Sequence, residues 1–243
     1  MILKADLHTH TNASPDGRSS LAALCAAAQK KGIGALAVCD HNRFTAVPES
    51  LYGVLLIPGC EFSTQAGHIT GLFLERQPDF ERLFARGLPG GAETVAEIRR
   101  CGGLAILAHP FQNPRRSVND FLFPLDGVET RNARAGLKNK PANLQAEMFA
   151  QEKGLPSIGA SDAHAAQEIG NAYTEIECSA PVLSALRAAL AAGRGRPILQ
   201  KNTSHTSKGL SQFCAARRAG GLKKFCRGFC YLGYCILLDL FRR

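Results

Sequence analysis

Six of the chain's seven histidines stand in patterns that can do chemistry. His8 and His10 lie one residue apart in "DLHTHTNASPDG", with Asp6 two residues before them and Asp16 in a Pro-Gly turn after them. On an extended segment residues i and i+2 point the same way, so both imidazoles aim at one point with Asp6 behind them on the same face. Asp162 and His164 repeat the spacing in "SDAH". His41 follows an apolar run in "ALAVCDHN", Glu61 another in "LLIPGCEFS" and His109 a third in "LAILAHP", while His68 opens "GHITGLFL". Imidazole nitrogens and carboxylate oxygens are ligands for Zn, Mn or Fe. Asp6 and Asp40 suit a supporting role, each orienting an imidazole through its other ring nitrogen. Clustered divalent cations lower the pKa of bridging water and neutralise phosphate oxygens. The chemistry open to such a set is hydrolysis by a metal-bound hydroxide, with a phosphate ester as one substrate whose oxygens the cations would neutralise. Such a site also wants guanidinium groups. Arg43 follows His41, Arg115 and Arg116 follow His109, and "VETRNARAGLKNK" offers Arg131, Arg134 and Lys138. Arg116 and Arg131, with His10, Asp16 and His164, are the residues expected to act directly on substrate.

These side chains need elements that bring them to one place. Strand candidates are Ile2–Leu7, Ala35–Cys39, Val54–Ile57, Ile69–Leu74, Leu104–Ala108, Gly127–Thr130, Ser157–Ala160 and Tyr173–Ile176. Helical patterns lie between them at Ser19–Lys31, Ala92–Cys101, Leu137–Lys153 and Pro181–Ala192. The first has a Ser cap, an apolar stripe and a stopping Gly. Such alternation argues for parallel strands covered by helices, as a small or distorted (β/α) barrel or, in competition, a doubly wound sheet. In either, the C-terminal strand ends converge on the face where active sites form, and the histidines cluster at strand boundaries. The four helical patterns carry none.

The order of the motifs is itself informative. HxH with an acid six residues on, then DHN, PGxE, GHxxG, AHP and SDxH, resembles the PHP (polymerase and histidinol phosphatase) family, in its small phosphoesterase branch. The match runs from Asp6 to His164, with the segment to Leu199 closing the barrel. The resemblance implies a distorted (β/α)7 barrel with its active site at the C-terminal strand ends. It also implies three divalent metal ions (Zn, Mn or Fe) held by His8, His10, Asp16, His41, Glu61, His68, His109, Asp162 and His164. About 30 residues separate "GHITGLFL" from "LAILAHP", so no inserted lid domain is expected there. The implied activity is hydrolysis of a small phosphate monoester or nucleotide. An exonuclease or oligonucleotide phosphodiesterase is the alternative within the family, a histidinol-phosphate-type phosphatase is another, and a metal-free regulatory module is the non-catalytic reading. None of the nine ligand positions is lost, which weighs against the last.

Charge narrows the partners. Of 29 Lys and Arg, 11 lie from Arg194 onward, where Asp239 is the only acid, so the body carries almost no net charge. With no Trp and four Tyr there is no stacking platform for single strands. Stable binding of long nucleic acid is not expected, although a short oligonucleotide is compatible with the site. The N-terminus has neither a basic n-region nor an apolar h-region, and the nine cysteines form no CxxC. This favours reduced thiols in the cytoplasm, with the body cysteines as buried small hydrophobes. The body is read as residues 1–200. Gly193–Gly209 reads as a linker and His205 as a bystander. The rest of 201–243 is a basic, apolar helical tail. Its apolar residues recur at helical spacing, which suits packing on the barrel, self-association, peripheral membrane binding or, failing these, disorder. The stretch "GFCYLGYCILLDLF" is too short to span a bilayer.

Overall fold

A computed structural model of the chain describes residues 1–241. Strand β1 (Ile2–Thr9) starts the sheet, followed by α1 (Leu21–Lys30), β2 (Ala35–Val38), the two-residue β3 (Ser50–Leu51), β4 (Val54–Thr64) and β5 (Gly67–Leu72). Then come α2 (Phe80–Phe84), α3 (Gly91–Arg100), β6 (Leu104–Ala108), β7 (Gly127–Asn132), α4 (Ala142–Lys153), β8 (Ser157–Ala160), β9 (Ala172–Glu177), α5 (Leu183–Ala191) and β10 (Gly195–Leu199). Two helices, α6 (His205–Arg218) and α7 (Leu222–Leu240), complete the described chain. All eight expected strands and all four expected helices are present. The expected tail is helical too, and its last two residues, Arg242 and Arg243, lie outside the described residues.

The strands form one sheet in the order β10-β9-β1-β2-β4-β5-β6-β7-β8, with β3 beside β4. It curls until it nearly closes. Across the seam, Thr174 Oγ1 on β9 donates to the Gly159 carbonyl and accepts from the Gly159 N–H, each at 2.9 Å. Glycine is required there: a Cβ on Gly159 would stand 2.5 Å from the Tyr173 carbonyl oxygen. Buried apolar residues from β1, β2, β4, β6, β8 and β9 meet α5 in one cluster, and α3, α4 and the adjoining loops build another against β4–β7.

The barrel is mixed, where the alternation of elements implied parallel strands. Pairs β1–β2, β2–β4, β6–β7 and β7–β8 are parallel, whereas β4–β5, β5–β6, β1–β9 and β9–β10 are antiparallel. The reason is local. Only Gln65 and Ala66 connect β4 to β5, enough for a hairpin and far too few for a crossover helix. Strand β4 therefore runs past the end of β2 and turns back.

The stretch 193–209 is not a linker. Gly195–Leu199 pairs with β9, Thr203 N donates to the Ala133 carbonyl at 2.8 Å, and α6 begins at His205 with Ser204 accepting from Ser207 N. Its Gly, Ser and Thr content serves a close strand approach and a helix cap rather than flexibility. Asp239 on α7 accepts from the N–H groups of His205 and Thr206, so the tail's one acid caps the N-terminus of α6.

Candidate metal centre

Strand ends bring all nine expected ligands together. His8 and His10 leave β1 side by side, their Nε2 atoms 3.0 Å apart. Glu61 lies inside β4, opposite Thr70, because β4 outruns its neighbour, and its carboxylate is the hub of the cluster. Its oxygens lie 2.8 Å from His41 Nδ1, 2.7 Å from His68 Nδ1, 3.1 Å from His109 Nε2, and 3.4 Å from both His8 Nε2 and His10 Nε2. The hairpin explains His68. It opens the antiparallel β5 opposite Ala108 on β6, so it reaches the rim where parallel strands end. Asp162 Oδ1 is 3.4 Å from His10 Nε2, and Asp16 Oδ2 is 3.2 Å from His164 Nε2.

Backbone strain marks two of these positions. His109 has φ 29° and Asp162 φ 52°, where non-glycine residues are uncommon. Asp16 is positioned by its neighbour, since a Cβ on Gly17 would stand 1.8 Å from the Thr11 carbonyl oxygen.

Hydrogen bonds behind the cluster set the tautomers. His8 Nδ1 is 2.6 Å from Glu129 Oε1, an acceptor, so the proton sits on Nδ1 and Nε2 turns to the centre. His10 Nδ1 is 3.2 Å from Ser14 Oγ, which donates to Asp40 at 2.8 Å. His164 Nδ1 meets the Asp162 carbonyl at 2.9 Å. Asp40 thus supports His10 through Ser14, as expected in kind. Asp6 does not orient a ring: it is buried and accepts from the backbone N–H groups of Ser161 and Gly170, tying β1 to the β8 side.

The site is short of positive charge. Burial opposes ionisation of Glu61, but His68, His41 and His8 hold its pKa well below the usual carboxylate range. Burial likewise opposes protonation of His41, yet Glu61 and Asp16 raise its pKa to about 11. Burial also opposes the His8 imidazolium, and Glu129, Glu61 and Asp162 outweigh it. His10 goes the other way, down to about 3, through burial and the neighbouring His164 and His41. Carboxylates that hold protons on so many rings can hold metal cations instead.

The donor geometry suits metal. Buried Glu61 Oε2, Asp16 Oδ1 and His68 Nδ1 have no hydrogen-bond partner, although Glu61 Oε2 and His68 Nδ1 lie within 2.8 Å of another donor atom of the cluster. Lone pairs that crowd one centre without pairing are what a ligand set presents. Four overlapping groups have atoms close enough for one ion each: His10, His41 and His164; His8, His109 and Glu129; His8, His10 and Asp162; Glu61, His68 and His109.

The cations do not all fall as expected. Seven of the nine expected ligands (Asp16, His41, Glu61, His68, His109, Asp162 and His164) line a cavity of about 120 Å³, and Arg134, Lys138 and Lys208 line it too. Arg131, expected at substrate, lies elsewhere: its alternation on β7 sends the guanidinium to Glu147 on α4 at 2.9 Å. Arg116 borders an adjoining groove with His68 and Lys138 and faces Asp120 at 4.0 Å, and Arg43 and Arg115 are exposed outside the cavity. Arg134 is buried against Glu168, with Nη2 2.9 Å from each carboxylate oxygen and Nε unpartnered.

Sequence reading missed Glu129, Lys208 and Gln212. Glu129 carried a signal, an acid within an apolar strand. Lys208 and Gln212 carried none, because the site lies under α6. That helix is fastened by Arg18 to Ser207, by Ser207 to Glu168, and by Arg218 to the Ser14 and Pro15 carbonyls. The expectation of no insertion between β5 and β6 holds, yet the cavity has a roof contributed by the tail. Burial lowers the Lys208 pKa to about 8, with Lys138 and Arg134 adding to the effect.

Comparison with known proteins agrees with this geometry. The PHP domain family model matches residues 6–97, and the PHP-associated family model matches residues 140–194. An uncharacterised protein of Methanocaldococcus jannaschii is 36% identical over 159 residues, 58% of this chain and 89% of that protein. A two-domain protein from Bacteroides vulgatus containing a predicted PHP-like metal-dependent phosphoesterase superposes with TM-score 0.59 at 21% identity, over 82% of this chain and 65% of that one. The lesion-specific endonuclease EndoQ from Pyrococcus furiosus superposes with TM-score 0.58 at 15% identity, over 82% of this chain and 58% of that one. The chain therefore spans less than two thirds of both crystal structures.

Proposed function

Because the chain belongs to the PHP family and has the fold of its metal-dependent phosphoesterases, we propose that it hydrolyses small phosphate esters with three divalent metal ions (Zn, Mn or Fe). The observation that carries this reading is the pairing of two walls: seven of the nine expected ligands line one cavity with Arg134, Lys138 and Lys208, and His8 and His10 stand directly behind them. His8, His10, Asp16, His41, Glu61, His68, His109, Asp162 and His164 would hold the ions, with Glu129 oriented to join or to support them. Nine donors exceed the roughly six places of one octahedral ion, which supports more than one. Such ions supply Lewis acidity toward phosphate oxygens and water.

The chain's own residues do the rest. Glu129, Ser14 and the Asp162 carbonyl keep the Nε2 lone pairs of His8, His10 and His164 aimed inward. Lys138 and Lys208 bind the phosphoryl group opposite the ligands, and Arg134 anchors that wall through Glu168. Burial lowers the Lys208 pKa most, and an anion between these cations relieves the repulsion from Lys138 and Arg134 that adds to it. Substrate size follows from volume. About 120 Å³ is small beside the roughly 300–1,000 Å³ of ordinary ligand pockets, so the cavity suits a phosphoryl group with a compact leaving group better than a polymer.

The test is a substrate panel on metal-reconstituted protein, with metal content measured in parallel. Turnover of small monoesters above dinucleotide diesters and oligonucleotides supports the reading. Preference for oligonucleotides overturns the substrate class. Failure to retain Zn, Mn or Fe overturns the metal assignment.

A further inference from the structure

The outward arc of α7 is a large surface that the cavity does not explain. Its inner arc is fixed tightly. A Cβ on Gly228 would stand 2.7 Å from Ala216 on α6, and one on Gly209 of α6 would stand 2.9 Å from Cys235. With Asp239 capping α6 as well, α7 cannot roll to hide its other side. At about 100° per residue, Leu222, Ile236, Leu237 and Leu240 share an outward arc, with Phe225 and Phe229 at its edge, where their rings also meet Phe213 of α6 at centroid distances of 5.3 and 6.2 Å. All six are exposed, Leu222 to 78% and Phe229 to 61%. Phe241 extends the arc at 83% exposure. Monomeric soluble proteins rarely leave so continuous an apolar stripe uncovered.

Charge says what covers it. Lys223 and Arg227 flank the stripe, and Lys224 and Arg227 border a groove of about 510 Å³ between α6 and α7 floored by Ala216 and Gly228. Arg217 and Arg218 end α6 nearby. From Lys201 to Phe241 the one acid is Asp239, and it is already occupied by backbone N–H groups. A second copy laid on this face would bring only more cations and no carboxylate to meet them. A bilayer with anionic headgroups supplies both partners, phosphate for the cations and an acyl boundary for the stripe. Among the described residues no helix is long and apolar enough to cross a membrane, so the contact lies in the interface plane.

We propose that the outer arc of α7 docks the protein on an anionic lipid surface. The helix lies flat, its leucines, Ile236 and the exposed edges of Phe225 and Phe229 in the acyl boundary and Lys223 and Arg227 at headgroup level, while Lys224 stays on the α6–α7 groove. Helix α6 stands between this face and the cavity, meeting the barrel through Ser207 and Ser211 and α7 through Gly209 and Ala216, so docking and hydrolysis use opposite sides of one helix.

The experiment is co-sedimentation of the full chain with vesicles of phosphatidylcholine alone or containing phosphatidylglycerol. Binding at least about tenfold stronger to the anionic vesicles, and released by high salt, is expected. Reversal of Lys223 and Arg227 to Glu should abolish that preference. Leu237→Glu with Leu240→Glu, both on the outward arc, should abolish binding with helicity unchanged. A readout on the unaltered chain covers misfolding of a variant: Cys226 and Cys230 are exposed on the same arc, so anionic vesicles should slow their alkylation severalfold, as mapped by mass spectrometry. Equal binding to both vesicles, no binding, or alkylation unaffected by lipid overturns the proposal. So does a dimer in light scattering whose mass halves in the Leu237→Glu, Leu240→Glu variant, because a second copy then covers the face.

Discussion

The two walls of the cavity are built differently. One consists of strand ends and the turns that leave them. Its groups are buried, anionic or imidazole, and fixed by hydrogen bonds from behind. The other consists of loops and helix α6; Lys138 is exposed and Lys208 half-buried, Arg134 is buried against Glu168, and the cations repel one another. A strand end holds a side chain to within a narrow cone, whereas Lys138 and Lys208 reach in on flexible stems. The strand wall therefore sets which reaction can occur, and the helix wall sets which anion is welcome. Perturbing the first should abolish activity, while perturbing the second should alter affinity.

The largest effect is expected at the hub. Glu61→Gln removes a charge that five imidazoles share, and activity should fall on the order of 10²–10³-fold, with metal stoichiometry reduced by elemental analysis. Retention of full metal content and turnover would remove Glu61 from the centre. Next comes Glu129→Gln, which leaves His8 its partner in shape but not in charge. A 10–100-fold loss of metal affinity is expected in competition with a chelator, because partners that orient a ligand contribute about that much. An unchanged affinity would mean that Glu129 only packs.

The pH dependence has a definite sign. Burial disfavours the charged His41 ring, but Glu61 and Asp16 dominate and raise its pKa to about 11, and His109 is raised by Glu61 against the same burial. A protonated ring cannot ligate. Metal must displace these protons, so apparent affinity should rise with pH through the neutral range, by up to about tenfold per unit for each proton released. Calorimetry in buffers of different ionisation enthalpy counts the protons. Zero release would contradict the charge balance described for the cluster.

These contrasts also explain what the sequence revealed. The strand wall was legible because its signals are short-range: HxH and DxH spacings place donors on one side of an extended segment, and apolar runs mark where each strand ends. Even the antiparallel hairpin did not hide His68 and Glu61, since both still fell at recognisable boundaries. The helix wall was not legible. Lys208 meets Lys138 and Arg134 only because α6 folds back over the barrel, and nothing in "NTSHTSKG" announces that contact. Its Ser204 cap and the distant Asp239 became meaningful only once α6 and α7 were paired. Arg131 failed for a related reason. Position in sequence put it beside the site, but strand alternation turned it to the other face.

Lys208 and Arg131 therefore make the sharpest test of the difference. Lys208→Met should weaken binding of inorganic phosphate about tenfold, raise KM more than it lowers kcat, and leave metal content intact. With its pKa lowered to about 8 by burial and the adjacent Lys138 and Arg134, Lys208 loses charge as pH rises above that value. Phosphate affinity should fall there in the unaltered chain and fall less steeply in the variant. Arg131→Met should change turnover by less than about twofold, because its exposed pair with Glu147 is of the kind that contributes roughly 0–1 kcal/mol. Equal losses from the two substitutions would mean that the helix wall does not discriminate among cations by position, and that roofing by α6 is incidental to substrate binding. A loss confined to Lys208 would show that a residue unreadable from local sequence, delivered by the tail, completes a site whose other wall the first strand already announces.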